Sequence, residues 1–563
     1  MEEINFRRHN SAPDISHHLS NLLVSPLLKK LSLSKMDANS MAASREQLTI
    51  NIKEEKMGYD NPAMGYDNPA MGYDNSPPMT SNPAMIKCRK ISNVGTVSQM
   101  VEKNGTNGAP HRKESLKAVY VSQPNPVRQT KSEKEYEPYD NRDVKHPTTY
   151  FETLIHMLKA SLGTGILAMP DAFHNAGYIV ATIGTLVIGF LCTYTIHILI
   201  SAEYELCKRR KQPSMTYPET AQAAFNDGPK PMRYVAKFVP TICNVFLLLY
   251  QIGSCCIYVV FISSNIKDVV DQYQAPENQI DIRWYSLFLL VPLILINWIR
   301  NLKYLAPLSS IANAVTIFSF GLIFYYMFAS VPNIESRQAV APFKRMPLFF
   351  GTVLFAMEAI GVVMPLENEM KNPRRFGSAF GVLNCAMLPI TLLYTFVGFF
   401  GYLKYGNDTK GSITLALPKD EYLAQAVRLM LAFAIFITHA LACYVAVDIS
   451  WREYIEPKVE KAKLFWEYLV RTILVIITFT FAVAIPDLEL FISLIGAFCL
   501  STMGLSFPAI IQLCTFWNEY NGMQFILFFL KNLTICLIAT FGFVIGVTTS
   551  VEGIIDKFFL QKE

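Results

Sequence analysis

The stretch FETLIHMLKASLGTGILAMPDAFHNAG, residues 151–177, decides how the rest of the chain is read. It is apolar and long enough to cross a bilayer, since roughly 20 residues rising about 1.5 Å each span the hydrocarbon. Gly163-Thr164-Gly165 sits in its middle, and each glycine weakens a helix interior by about 1 kcal/mol. Two glycines flanking a β-branched threonine predict a helix broken into halves of about 12 residues, neither long enough to span alone. Unwound backbone in lipid is tolerated only where it faces protein or a water-filled cavity, so the break marks a binding site. His156, Lys159 and Gly163 stand at i, i+3 and i+7 and share one face of the first half-helix. An ionisable residue at membrane depth is a functional candidate by default. The plainer readings are a histidine bonded to a neighbouring helix and a lysine whose long stem reaches the interface.

The 563 residues are 51% hydrophobic with a net charge of +5, and a polar stretch of about 145 residues at the N-terminus dilutes that average. No charged start followed by an apolar core marks a cleavable signal peptide. Residues 1–145 hold too few apolar side chains to bury a core and read as a disordered cytosolic tail. Within them MGYDNPA occurs at 57–63 and 64–70 and begins again at Met71. Its Gly, Asn and Pro exclude a coiled coil, leaving a spacer or a multivalent docking ligand for cytosolic partners. Arg8, Ser11 and Pro13 have the spacing of a phosphoserine motif for an arginine-cluster reader, although so short a match arises readily by chance.

Beyond the tail, eleven apolar runs read as spans: 151–172, 178–201, 236–263, 284–299, 306–330, 348–366, 379–402, 424–447, 466–485, 488–514 and 525–549. The membrane domain is expected over 146–551, with a short C-terminal tail over 552–563. Lys208 to Lys211, Lys371 with Arg374 and Arg375, and Arg452 with Lys458, Lys461 and Lys463 fall in alternate loops. Cytoplasmic loops gather such cations, which places the N-terminus in the cytosol and accounts for the net charge without nucleic acid. Asn407-Asp408-Thr409 then lies outside as an N-glycosylation acceptor. The eleven cysteines show neither zinc-ligand spacing nor a disulfide framework and read as small buried hydrophobes.

Span six repeats the anomaly of span one. In FFGTVLFAMEAIGVVMPLENEMKNP, residues 349–373, Gly351, Gly361 and Pro365 punctuate a short apolar run with Glu358 near its centre. A central carboxylate costs about 3 kcal/mol on insertion scales, so Glu358 must face protein or water. Spans one to five and six to ten form two halves, each opening with an interrupted helix, and an odd number of spans per half inverts the second. Interrupted helices in corresponding positions of inverted halves point to a midplane site in an alternating-access transporter. The expected fold is an all-α membrane protein of about eleven helices, a 5+5 inverted repeat plus one extra helix. Span five carries Ser309, Ser310, Asn313, Thr316 and Ser319, a polar stripe that either lines a path or glues helices. Span three has the small run Gly253-Ser254-Cys255-Cys256 for close packing, His439 in span eight reads as packing, and span eleven as a peripheral extra.

The strings Leu154-Ile155-His156-Met157-Leu158-Lys159, Gly163-Thr164-Gly165, Pro170 and Asn175-Ala176-Gly177 resemble those of the proton-coupled amino acid transporters in the amino acid/auxin permease group, insect members especially. So do residues 361–368 (GVVMPLEN) and Met370-Lys371-Asn372-Pro373. The resemblance covers about 150–550 and implies the LeuT-like form of the 5+5 inverted repeat and symport of small neutral amino acids with protons at the plasma or lysosomal membrane, without enzymatic activity or any cofactor besides the proton. It also implies that His156 carries the coupling proton. Some relatives brace outer loops with a disulfide, whereas the outer loops after spans three and five contain no cysteine here.

Substrate contacts are expected from Ser161, Gly163, Thr164 and Gly165, whose free N–H groups at a helix N-terminus suit a carboxylate. Freed carbonyls near Phe355, Ala356 and Met357 suit the ammonium, and the bulk of Phe355 and Met357 beside Ala160 and Ser161 favours Gly, Ala, Ser or Pro. Histidine has a reference pKa near 6.5, between an acidic compartment and the cytosol, and Glu358 is the alternative proton carrier. Two other functions fit the residues: a sodium-coupled amino acid carrier on the same fold, and a non-transporting amino acid sensor or scaffold acting through the tail.

Overall fold

The computed structural model describes residues 136–161, 163–300, 302–357 and 360–559. The first span consists of two 12-residue helices, α1 (Tyr150–Ser161) and α2 (Gly165–Ala176), and α3 (Tyr178–Arg210) follows. Short helices α4 (Tyr217–Asp227) and α5 (Lys230–Val235) lead into α6 (Val239–Val270), α7 (Ile282–Asn297) and α8 (Leu302–Phe328). The second set repeats this order. Its broken span is α9 (Met346–Ala356) with α10 (Ile360–Asn368), followed by α11 (Val382–Tyr405), the small α12 (Ile413–Ala416), α13 (Tyr422–Asp448) and α14 (Lys463–Ala484). Span ten is built from α15 (Leu488–Ile495), a π-helix over Gly496–Ser506 and α16 (Phe507–Thr515), and α17 (Gly522–Phe559) is the eleventh.

Nine helical segments among the described residues are long and apolar enough to cross a membrane. The broken first span and the 16-residue α7 complete the eleven read from the sequence. The protein is an all-α membrane protein of two five-span sets plus one helix. Because each set holds an odd number of spans, the second starts from the opposite end of the bundle.

One reading needs correction. Residues 136–145, assigned to the tail, are packed on the membrane domain: Pro138–Asn141 form a 3₁₀ turn, and Arg142 makes a buried ion pair with Glu367 of α10 at 2.9 Å. The rest of the expected disordered tail, residues 1–135 with the heptad repeats, Ser11 and Cys88, lies outside the described residues, as do residues 560–563. At the other end α17 runs unbroken through Phe559, into the stretch expected as a C-terminal tail. The eleventh helix, α17, is the least buried of the nine long helical segments, as a peripheral extra would be, and side chains tie it to the bundle. Ser550 Oγ donates to Ser493 Oγ at 3.2 Å, Lys557 pairs with Asp487, and Gly542 leaves room for the Phe350 ring.

Close backbone approaches set the position of the broken spans. A Cβ on Gly165 would stand 2.5 Å from Ala356 Cα, so α2 and α9 touch where both helices are interrupted. A Cβ on Gly496 would stand 1.9 Å from the Gly351 carbonyl oxygen, pressing the π-helix onto α9. Gly351, Gly361 and Pro365 therefore lie within α9, which ends at Ala356, and α10, which starts at Ile360. Glycine occurs at 351 because a neighbouring backbone passes there, not because the helix unwinds. In span three Gly253 accepts Ile495 and Cys255 Sγ approaches His439 O at 3.9 Å, as the run of small residues predicts.

Candidate substrate and ion site

The first half-helix starts on a reciprocal cap, with Thr149 N–H donating to Glu152 Oε2 at 2.8 Å and Glu152 N–H to Thr149 Oγ1 at 3.4 Å. It ends at Ser161, whose hydroxyl turns back to Met157 O at 3.1 Å. Gly163 N–H bonds Ser161 O at 3.0 Å, and α2 resumes with a tight turn from Leu167 N–H to Thr164 O at 3.1 Å. Tyr394 of α11, fully buried, also donates its hydroxyl to Ser161 O. That carbonyl, freed by the break, is thus capped by protein. Ser161 and Thr164 are buried, and Thr164 Oγ1 has no hydrogen-bond partner among the described residues.

Beside this break lies a cavity of about 300 Å³. His156, Lys159, Ala160 and Gly163 form one wall, Ser309, Asn313 and Thr316 of α8 another, and Leu431, Ile435 and Thr438 of α13 a third, with Tyr258 and Phe320 closing it. The i, i+3, i+7 face of α1 therefore looks into a single space. Of the polar stripe on span five, Ser309, Asn313 and Thr316 line it, while Ser319 is buried with its Oγ unpartnered among the described residues. Lys159 Nζ donates to Ser309 Oγ at 3.4 Å, spanning from α1 to α8. The described lining contains His156 and Lys159 but no carboxylate. A wall carrying a fixed ammonium, an imidazole, an amide and hydroxyls suits an anionic group better than a second cation.

Other expected contacts fall elsewhere. Phe355, Ala356 and Met357 are buried in the packing between α9 and its neighbours, with Thr391 Oγ1 donating to Met357 Sδ at 3.8 Å, and they do not line this cavity. Gly165 is likewise covered by Ala356, whereas a Cβ on Gly163 would meet nothing within 4 Å. Glu358 lies outside the described residues. His439 sits in packing, fully buried, with Nδ1 3.3 Å from Asn297 Nδ2. Asn407 is exposed in the turn Gly406–Asp408, and Thr409 Oγ1 turns inward to Gly406 O at 3.1 Å. Among the described residues no group of three or more metal-ligating side chains occurs.

Two features were missed in the sequence. Asp171 in α2 is 2% exposed and its Oδ2 has no partner among the described residues, while Asn175, one turn on, donates to Glu489 Oε1 at 2.8 Å. A carboxylate inside an apolar half-helix was signal enough. Tyr394 carried no such signal, because only the tertiary fold brings span seven to the break.

Paired interrupted helices, with a polar cavity at one break, are the pattern of a membrane transporter. Residues 146–552 match the transmembrane amino acid transporter protein family, and the chain belongs to that family. It is 38% identical over 463 residues to the proton-coupled amino acid transporter-like protein pathetic of Drosophila melanogaster, covering 81% of this chain and 97% of that protein. Identity to the probable amino acid transporter skat-1 of Caenorhabditis elegans is 26% over 438 residues, or 75% of this chain and 93% of the relative. Among solved structures, the inward facing conformation of Mhp1 aligns with a TM-score of 0.43 at 12% identity, covering 74% and 91% of the two chains. The chain is a multi-pass membrane protein of an amino acid transporter family, not an enzyme.

Proposed function

We propose that this protein is a proton-coupled symporter of small neutral amino acids, working by alternating access in the plasma or lysosomal membrane with its N-terminus in the cytosol. The observation that carries the proposal is the cavity beside the first break, which joins His156, Lys159 and Gly163 to the hydroxyls of α8. The substrate carboxylate is bound by the N–H groups of Thr164 and Gly165 at the start of α2, with Ser161 and Gly163 beside them, and the helix dipole of α2 adds to that attraction. Carbonyls around Phe355, Ala356 and Met357 take the ammonium once α9 moves from the packing described above. His156 carries the coupling proton and Glu358 is the alternative carrier. The name of the Drosophila relative supports the proton as coupling ion. The cation-rich loops at 208–211, 371–375 and 452–463 occur at the end of the bundle where α1 starts, which supports the orientation, with Asn407 at the other end as a glycan acceptor.

Lys159 favours the proton over sodium. Its ammonium already stands against Ser309, and a sodium ion entering beside it would meet a like charge with no described carboxylate to offset it. The cavity, about 300 Å³, is at the small end of ligand pockets, which favours Gly, Ala, Ser and Pro. Each added methylene is discriminated by about 1–3 kcal/mol, so preference is graded. In a heterologous membrane, replacing sodium by choline at fixed pH should change alanine uptake less than twofold, while excess Gly, Ser or Pro competes and Lys or Trp does not. Uptake that collapses without sodium, or a preference for Lys or Trp, would overturn the reading.

A further inference from the structure

The segment leading into α1 makes a set of contacts that ordinary tail sequence would not need. Arg142 Nη2 lies 2.9 and 3.2 Å from the two carboxylate oxygens of Glu367, Nη1 donates to Glu367 O at 3.0 Å, and Nε donates to Pro213 O at 3.0 Å. The two side chains are 5% and 3% exposed. The Tyr139 ring covers the guanidinium at 4.7 Å, and that ring packs 4.9 Å from Tyr204 of α3. Glu137 accepts from the Tyr204 hydroxyl at 3.0 Å and pairs with Arg374 at 3.6 Å. Just before α1, Thr148 joins the end of α10 through its backbone: Thr148 N–H donates to Glu369 O and Lys371 N–H to Thr148 O, both at 2.9 Å.

The two helices joined in this way are the first half of span one and the second half of span six, at the same end of the bundle. The cavity wall on α1 is its exposed face, so any displacement of α1 at this end opens or narrows the cavity. A strap bonded to α10 through main chain and through a desolvated, multiply bonded ion pair cannot shift without carrying α10 along.

We infer that residues 137–148 yoke α1 to α10 so that the two half-helices move as one body, with Arg142 and Glu367 as the positioning residues that hold the yoke and thereby set how open the cavity is. The inference rests on the transport reading. Neither residue lines the cavity, so their effect on the substrate passes through the position of α1.

Two experiments on the full chain test it. In permeabilised membranes, Ala160→Cys reports cavity access by its labelling rate with a charged thiol reagent, measured against the parent without that cysteine. Arg142→Ala and Glu367→Ala should each raise the rate at least threefold. The double variant should raise it no further than the larger single, because the two act through one contact. Unchanged labelling in either single variant, or multiplying effects in the double, overturns the inference. The second test does not depend on those variants folding. Bridge partners on adjacent extended segments stand within disulfide range, so Thr148→Cys with Met370→Cys can be crosslinked by mild oxidation. If α1 and α10 travel together, the oxidised protein keeps at least half the alanine uptake of the reduced one; loss of uptake, restored by reduction, means that they separate during the cycle. A parent that takes up no amino acid defeats the transport reading instead, and the labelling rates then decide the yoke alone.

Discussion

Replacing Gly165 by valine is expected to abolish alanine uptake and to lower the amount of folded protein, whereas Gly163→Val should abolish uptake with the protein level unchanged. The two positions are two residues apart and differ in what a side chain would meet. At Gly165 the first added carbon would already sit 2.5 Å from Ala356 Cα, so α2 and α9 must part where both breaks meet. Overpacking of this kind costs about 1–3 kcal/mol even where side chains can yield, and here the obstacle is backbone. At Gly163 nothing lies within 4 Å, so an isopropyl group would project into free space beside the cavity. Uptake of labelled alanine alongside surface biotinylation and detergent melting separates the two outcomes. Normal uptake by Gly163→Val would remove the substrate from this break.

The second large effect is expected at His156. With His156→Gln, surface expression should persist while acid stimulation of uptake disappears, a loss of the whole pH-dependent component. Glutamine keeps a hydrogen-bonding side chain of comparable reach but cannot take up a proton near neutrality. His156 is one turn from Lys159 on the same cavity wall, where Lys159 already reaches across to Ser309. Glu358→Gln, by contrast, should weaken transport at every pH. Alanine-evoked current measured as external pH is stepped decides between them; a full inward proton current in His156→Gln would pass the coupling role to Glu358.

Much of this arrangement was legible because it is local. The break in span one was written in Gly163-Thr164-Gly165, and the shared face of His156, Lys159 and Gly163 followed from helical spacing. The stripe on span five could be seen but not assigned, since lining a path and gluing helices use the same residue types. Span six was harder. Its Gly351 serves approaches from Ser493 and Gly496, contacts more than 130 residues away that no local pattern announces. The Tyr394 cap on Ser161 O and the clasp of Arg142 on Glu367 were hidden for the same reason: each joins segments more than 220 residues apart. Residues 136–145 looked like tail because their composition is polar, and their order comes from partners that composition does not show.

The π-helix in span ten carries a consequence for how the gene can change. Eleven residues from Gly496 to Ser506 are wound more widely than an α-helix, and their register aligns Met503 O with the Tyr217 hydroxyl at 2.7 Å and, further on, Thr515 O with Arg209 at 2.8 Å. Removing one codon anywhere in that run would let the segment relax to α geometry and turn everything beyond it by about 100°. Leu505, Ala509 and Cys514, now buried, would swing toward lipid, and both anchors would be lost together. A scan of single-codon deletions should therefore find this stretch intolerant, while one-residue deletions in the exposed turn at 276–279 pass with little effect on expression.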